Sequence, residues 1–245
     1  MRFLVISDLH GDTEHIDMLK EEFSKADAVL CGGDFARFNQ EETGLPTLKH
    51  LLSCHDTIYA VTGNCDNPDF IEALEDEDIN VQNTMVFRDG LVFSGSGGGA
   101  QFTGVTPNER TEEELGADFN VVKEQKETTS WSNMIMIMHQ PPKDTACDTI
   151  TSGAHVGSPA LRQVIEELQP LAVVTGHIHE SFGKDTIGKT LVINPGSLAE
   201  GRYAVLEVVK SPEGEWSIKE AELKTLSQKM LTETYYGAVT NRNPI

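Results

Sequence analysis

Long apolar runs are missing from this 245-residue sequence. None approaches the ~20 consecutive residues that a membrane helix requires. The chain also starts without the charged lead, apolar stretch and small-residue cleavage site of a signal peptide. It goes directly into Phe3-Leu4-Val5-Ile6. A cytoplasmic location is expected, with no membrane partner. Cysteine is scarce: Cys31, Cys54, Cys65 and Cys147 are irregularly spaced, with no Cys-x-x-Cys pair to suggest a structural zinc or a redox motif. Cations are scarce as well. The 19 Lys and Arg face 39 Asp and Glu, a formal net charge of −20. A nucleic-acid surface would show a basic stripe, so none is expected. The acidic groups at Glu72, Glu75–Asp78 and Glu112–Glu114 read as solvated helix faces, and the excess as solubility or adaptation to salt.

What is present is one pattern used five times: a buried strand, a turn, then side chains of the kind that hold metals. Phe3–Ile6 runs into Ser7-Asp8-Leu9-His10, and Ala28–Cys31 into Gly32-Gly33-Asp34. Ile58–Val61 leads to Gly63-Asn64-Cys65-Asp66, and Met134–Met138 to His139. Val173-Val174-Thr175 ends in Gly176-His177-Ile178-His179. In an extended chain alternate side chains share a face, so His177 and His179 are expected to reach one point while Ile178 packs the other way. His15, His50 and His55 belong to no such pattern and read as ordinary surface or core histidines.

The intervening segments read as helices. Ile16, Leu19 and Phe23 recur at helical spacing after Asp12 or Thr13, and Leu45, Leu48, Leu51 and Leu52 are expected on one face of a short helix around Pro46–Cys54. Pro68 suits the first position of another helix. This opening third is β-α-β-α-β-α, the pattern of a parallel sheet with right-handed crossovers. Asp89-Gly90 between Met85–Arg88 and Leu91–Ser94 signals a two-residue hairpin. The run Gly95–Gly99 lacks a P-loop lysine and reads as a flexible rim loop rather than a phosphate cradle. Thr111 and Glu114 form a capping box for a charged helix that ends before Trp131. The methionines alternating with isoleucines in Asn133–Met138 read as core filler, and Gln140–Gly157 as a long functional loop. A helix follows from Pro159, a hairpin at Gly188-Lys189, and strands near Tyr203–Val209 and Trp216–Leu223.

Parallel units followed by hairpins predict an α/β fold, a four-layer α/β/β/α sandwich of two mixed sheets. The ligand-bearing segments extend from Asp8 to His179, and any cut between them would divide the site. A single domain over residues 1–245 is therefore expected, with 226–245 as a loose C-terminal tail.

Taken together, Asp8-x-His10, Gly32-Gly33-Asp34, Gly63-Asn64-Cys65-Asp66, His139 and Gly176-His177-x-His179 resemble, in order, the five blocks of the calcineurin-like metallophosphoesterases. Gly153–Ser158 and Asn194-Pro195-Gly196-Ser197 resemble their small Icc-like branch. The resemblance implies a binuclear centre. One cation would be held by Asp8, His10, Asp34 and His179, the other by Asp34, Asn64, His139 and His177, with Asp34 bridging. Carboxylate, amide oxygen and imidazole suit Mn²⁺, the expected metal, or Fe²⁺, Zn²⁺ or Ni²⁺. The implied reaction is hydrolysis of small phosphodiesters or phosphomonoesters, cyclic nucleotides among them, by in-line attack of a metal-bridging hydroxide.

Asn64, Cys65, Asp66 and His155 are the expected catalytic residues. Cys65 stands where most of the family has a histidine, which leaves the proton for the leaving group without its usual donor. His155 is either a substitute for that donor, a substrate contact or an ordinary loop residue. The alternative to an enzyme is a scaffold of the same fold that binds partner proteins. Every ligand position is filled, which favours the enzyme. Its partner is a small phosphoester, and a homodimer is compatible with the sequence.

Overall fold

The computed structural model describes residues 1–125, 128 and 130–226. Apart from Leu226, the tail expected over 226–245 lies outside them. Two sheets carry the architecture. The first has β1 (Arg2–Ile6) at its centre, with β2 (Ala28–Cys31) and β3 (Ile58–Ala60) added in parallel on one side. The second begins with the hairpin β4 (Val86–Arg88) and β5 (Leu91–Ser96). Two short strands, β6 (Gly99–Ala100) and β7 (Glu109–Arg110), pair apart from it. The second sheet continues with β8 (Met134–Met138) and β9 (Ala172–Val174), parallel to β5 and to each other. The hairpin β10 (Gly183–Ile187) and β11 (Thr190–Asn194) completes it. The last hairpin, β12 (Arg202–Lys210) and β13 (Trp216–Thr225), returns to the first sheet beside β1.

Helices cover both outer faces, so the expected four-layer α/β/β/α sandwich is the observed fold. On the first sheet lie α1 (Glu14–Met18), α2 (Lys20–Lys25), α3 (Gly44–Leu52) and α4 (Phe70–Asp76). On the second lie α5 (Glu112–Ala117), α6 (Asn120–Lys123) and α7 (Pro159–Leu168). The period-two pattern of β8 shows how the layers separate. Ile135 and Ile137 point between the sheets with Phe3, Val5 and Phe93, whereas Met134, Met136 and Met138 point to the helices with Leu115 and Leu161. Tyr59 stacks on Phe93 at 3.9 Å between centroids, clamping the sheets together. Each such fully buried side chain contributes about 1.5–3 kcal/mol of burial free energy.

The sequence expectations held for the elements and slipped at their ends. The Asp89-Gly90 hairpin forms with φ of 54° and 87°, the positive pair that a type I′ turn demands. The expected helix at Pro46 begins two residues earlier, at Gly44, and that at Pro68 begins two later, at Phe70. The charged helix after Thr111 has its capping box but breaks between α5 and α6. There Asp118 turns to accept two hydrogen bonds from Arg110, at 2.6 and 3.0 Å. One expectation is corrected outright. The glycine run is not a flexible rim loop: Gly95 and Ser96 complete β5, Gly99 starts β6, and all of Gly95–Gly99 is buried.

Because β1, β2 and β3 are parallel, as are β5, β8 and β9, their C-terminal ends open on one edge of the sandwich. Open α/β sheets bind ligands at such an edge.

Candidate metal centre

The turns after β1, β2, β3, β8 and β9 carry every expected ligand, and backbone bonds knit them together. Asp8 N–H donates to the Gly33 carbonyl at 3.0 Å, His10 N–H to Asp34 at 2.8 Å, and Gly176 N–H to His139 at 3.1 Å. Crowding leaves no room for Cβ atoms between these turns. A side chain at Gly63 would fall on the Asp34 carboxylate, and one at Gly176 would lie 2.6 Å from Asp8 Oδ2. The ligands themselves sit in unusual backbone. Asp8, His10, Asp34 and His177 all adopt left-handed φ, between 47° and 65°. Asp and His tolerate that region better than most residues, yet strain of this kind collects at functional sites. The positive φ of His177 also corrects the extended-chain reading. A left-handed residue at His177 and a 3₁₀ turn over His179–Ser181 send the two imidazoles to different groups of donors rather than to one point, and Ile178 lines a cleft beside the site instead of packing away.

Two groups of donor atoms result. In one, His10 Nε2 lies 3.2 Å from His179 Nε2, which lies 3.1 Å from Asp8 Oδ1. In the other, Asn64 Oδ1 lies 2.8 Å from His139 Nε2 and 2.7 Å from His177 Nδ1. Asp34 stands between them, its Oδ2 3.7 Å from His10 Nε2 and 3.5 Å from His139 Nε2. The other oxygen of Asp34 accepts the Cys65 N–H at 2.8 Å, which turns Oδ2 inward.

The outer nitrogens of three imidazoles are already engaged. His10 Nδ1 faces the Ala36 carbonyl at 3.2 Å, His139 Nδ1 the Gly32 carbonyl at 2.7 Å, and His179 Nδ1 the Glu200 carboxylate at 3.2 Å. With N–H directed outward, the inner nitrogens of His10 and His139 present lone pairs, His139 Nε2 to Asn64 Oδ1, whereas His179 Nε2 faces the Asp8 carboxylate, which accepts its proton. Lone pairs that face each other at about 3 Å repel unless a proton or a cation lies between them. This donor set fits borderline divalent cations, and the outward bonds fix the ligating tautomers.

The electrostatics agree. Burial pushes Asp8 up, but its hydrogen bond to His179 and the nearby imidazoles hold it well below the usual carboxylate range. Burial, helped by neighbouring His139, pushes His177 down to about 4, so it is neutral and able to donate a lone pair near pH 7. Burial opposes protonation of His179, yet Asp8 and Glu200 raise it to about 9. Asp8 and Asp34 are both nearly inaccessible, a concentration of buried negative charge that cations would offset.

The expected catalytic residues divide. Asn64 faces the cluster. Cys65 lies beside it, its Sγ grouped with His10 and Asp34 within 4.8 Å, and burial and Asp34 push its thiol up. Asp66 is turned away from the site: its oxygens accept the Ala36 N–H at 2.9 Å and the Gly63 N–H at 2.7 Å, bracing the two turns from behind. Burial and Asp34 raise it to about 6. His155 is exposed and pairs with Asp148 at 2.7 Å, within its own loop and outside the ligand clusters. The structure places Asp66 behind the site, as a brace of its turns, and His155 beside Asp148 in its own loop. The sequence reading missed Glu200, whose carboxylate meets His179 and is itself held by Arg202 at 3.2 Å. It follows the Asn194–Ser197 turn closely, but no local pattern marks it as a partner of His179.

Comparison with known proteins adds four findings. Residues 1–210 match the calcineurin-like phosphoesterase superfamily domain. An uncharacterized protein of Methanocaldococcus jannaschii is 33% identical over 202 residues, covering 80% of this chain and 88% of that protein. Among solved structures, a Thermus thermophilus protein superposes with a TM-score of 0.68 at 19% identity, over 92% of this chain and 99% of that one. A dimetal phosphatase from Danio rerio does so with 0.59 at 14%, over 93% and 99%. At these identities the two structures speak for the fold alone.

Proposed function

Since the chain belongs to the calcineurin-like phosphoesterase superfamily, we propose that it is a hydrolase of phosphoric esters working with two divalent cations. Asp8, His10, Asp34 and His179 would hold one, and Asp34, Asn64, His139 and His177 the other. The observation that carries this reading is the position of Asp34 Oδ2, within 3.7 Å of one nitrogen group and 3.5 Å of the other. When bound, two cations supply Lewis acidity to a phosphoryl oxygen and lower the pKa of water towards ~7.

The protein's own groups do the rest. The Cys65 amide fixes Asp34, the Gly32 and Ala36 carbonyls fix two imidazoles, and burial keeps His177 neutral. Asn64 and His177 also border the adjoining cleft, which brings a bound ester against the ligand cluster. Small phosphodiesters and phosphomonoesters, including cyclic nucleotides, are the proposed substrates, and Mn²⁺ the proposed metal. The likeness in fold to a protein described as a dimetal phosphatase supports this reading.

The test is hydrolysis of bis(p-nitrophenyl) phosphate by protein supplied with Mn²⁺, after exhaustive chelation, and after Mn²⁺ is restored. Turnover that survives chelation would sink the two-cation reading. No turnover with any divalent metal would favour the scaffold alternative.

A further inference from the structure

Beside the ligand cluster, and sharing Asn64 and His177 with it, is a cleft of about 350 Å³. That volume is at the small end of ligand pockets. Its two walls are loops, each gathered around one carboxylate. Glu109 accepts the N–H groups of Phe102, Gly104 and Thr106 at 2.8, 2.9 and 3.4 Å, which folds the loop 101–106 back on itself. Asp148 accepts those of Asp144, Thr145 and Gly157 at 3.0, 2.8 and 2.9 Å, which shapes the opposite loop. Buried Gln140, next to His139, ties the walls together. Its Oε1 accepts the Ala100 N–H at 2.9 Å and its Nε2 donates to the Val156 carbonyl at 3.1 Å. The cleft is therefore built by the protein's own hydrogen bonds.

Its surface is apolar where a ligand would rest. Ala100, Phe102, Ile150, Val156 and Ile178 face it, with Phe102 91% exposed at the mouth. No Lys or Arg is among the residues lining it. The one carboxylate there, Glu109, is spent on backbone amides but keeps its charge. A second phosphate or a carboxylate would lose its hydration here, meet Glu109 and find no counter-charge. An apolar ring would cover four aliphatic side chains and an aromatic one that are otherwise at least partly exposed to water.

We infer that this cleft receives one organic arm of the ester, and that the arm is uncharged and apolar: an aryl or branched alkyl group rather than a second phosphate or a charged sugar. The inference rests on the phosphohydrolase reading, because it is the ligand cluster that would hold the phosphoryl group. It separates diesters and monoesters of hydrophobic alcohols from nucleoside diphosphates and sugar bisphosphates.

Two measurements test it. The full chain, methyl-labelled at Ile and Val and loaded with Zn²⁺, is titrated with phenylphosphonate and with methylphosphonate. These ligands share the phosphoryl end and differ only in the arm. The methyls of Ile150, Val156 and Ile178 are expected to respond to the phenyl compound alone, which should bind about tenfold or more tightly. Val156→Asp, at a position already 36% exposed, should narrow that gap. Equal responses, no response to phenylphosphonate, or a gap unchanged by Val156→Asp would overturn the inference. Turnover of bis(p-nitrophenyl) phosphate is assayed in parallel. Its loss counts against the hydrolase reading, whereas turnover without phenyl preference counts against the cleft.

Discussion

Asp34 is the residue on which most else depends, because its Oδ2 faces both nitrogen groups. Asp34→Asn removes the charge that would hold two cations close together. Losing an outer partner of a metal ligand already costs ~10–100-fold in affinity or activity, so this change should cost more. Metal content per chain and turnover measure it, and a variant that retains two cations and full activity would refute the bridge. Glu200 is such an outer partner, 3.2 Å from His179 Nδ1. Glu200→Gln keeps an acceptor but removes the charge, and a ~10–100-fold loss of Mn²⁺ affinity is expected by calorimetry. Unchanged affinity would reduce Glu200 to a salt-bridge partner of Arg202. Cys65 poses a different question. Burial and Asp34 push its thiol up, so it is a weaker proton donor than the imidazolium usual at this position. General acid catalysis is worth ~10²–10⁴-fold. Cys65→His should therefore speed alkyl esters relative to nitrophenyl ones, whereas Cys65→Ala should do little to the latter. Rates plotted against leaving-group pKa decide it: three parallel slopes would mean that Cys65 only packs.

At the scale of elements, the functional loops hold their shape through single carboxylates more than through regular structure. The loop after β8 shows this with a pH signature. Asp148 is buried, which raises its pKa, but its bonds to His155 and to the Thr145, Gly157 and Asp144 amides bring it below the ordinary 3.8. The bond to Asp148 raises His155 above the ordinary 6.5. A lowered acid contributes stability above its unfolded pKa and loses it as the pH falls through the folded one. A raised base contributes below its unfolded pKa and loses it as the pH rises through the folded one. The pair is therefore fully effective between 3.8 and 6.5. The melting temperature of His155→Ala should fall furthest below wild type inside that window and converge with it at either extreme. A difference that is flat with pH would remove His155 from the bracing of this loop. β8 and β9 present the opposite case, since sheet pairing and apolar packing place them, and the histidines after them inherit it.

Over the whole molecule, the acidic excess of −20 and the buried pair Asp8 and Asp34 make cation binding a matter of stability as well as chemistry. A ligand at a hundred times its Kd stabilises the folded state by about 2.7 kcal/mol. For a chain of this size each kcal/mol moves the melting temperature by about 2–4 °C. Chelation should lower it by several degrees, and Mn²⁺ should restore it. Protons compete with cations for His179, which Asp8 and Glu200 raise to about 9. The Mn²⁺-dependent increment should therefore grow as pH rises from 6 towards 9. Melting curves with and without EDTA across that range measure it, and an increment that shrinks with rising pH would contradict the ligand assignment of His179.

The sequence by itself determined the layers and the ligand candidates. Strand periodicity, glycine turns and the order of Asp8, His10, Asp34, Asn64, His139, His177 and His179 are local features. They lie at strand ends, where parallel pairing must bring them to one edge. What it could not determine is any relation made across the sandwich. Glu200 reaches His179 only because β12 returns beside β1, and Gln140 ties Ala100 to Val156 only once three segments meet. The true surroundings of Asp66 and His155, and the burial of the glycine run, were decided in the same way. Spacing along the chain reports which face a residue takes within its own element. Which groups from distant segments then compete for its atoms depends on packing, and that is settled only when the two sheets close on each other.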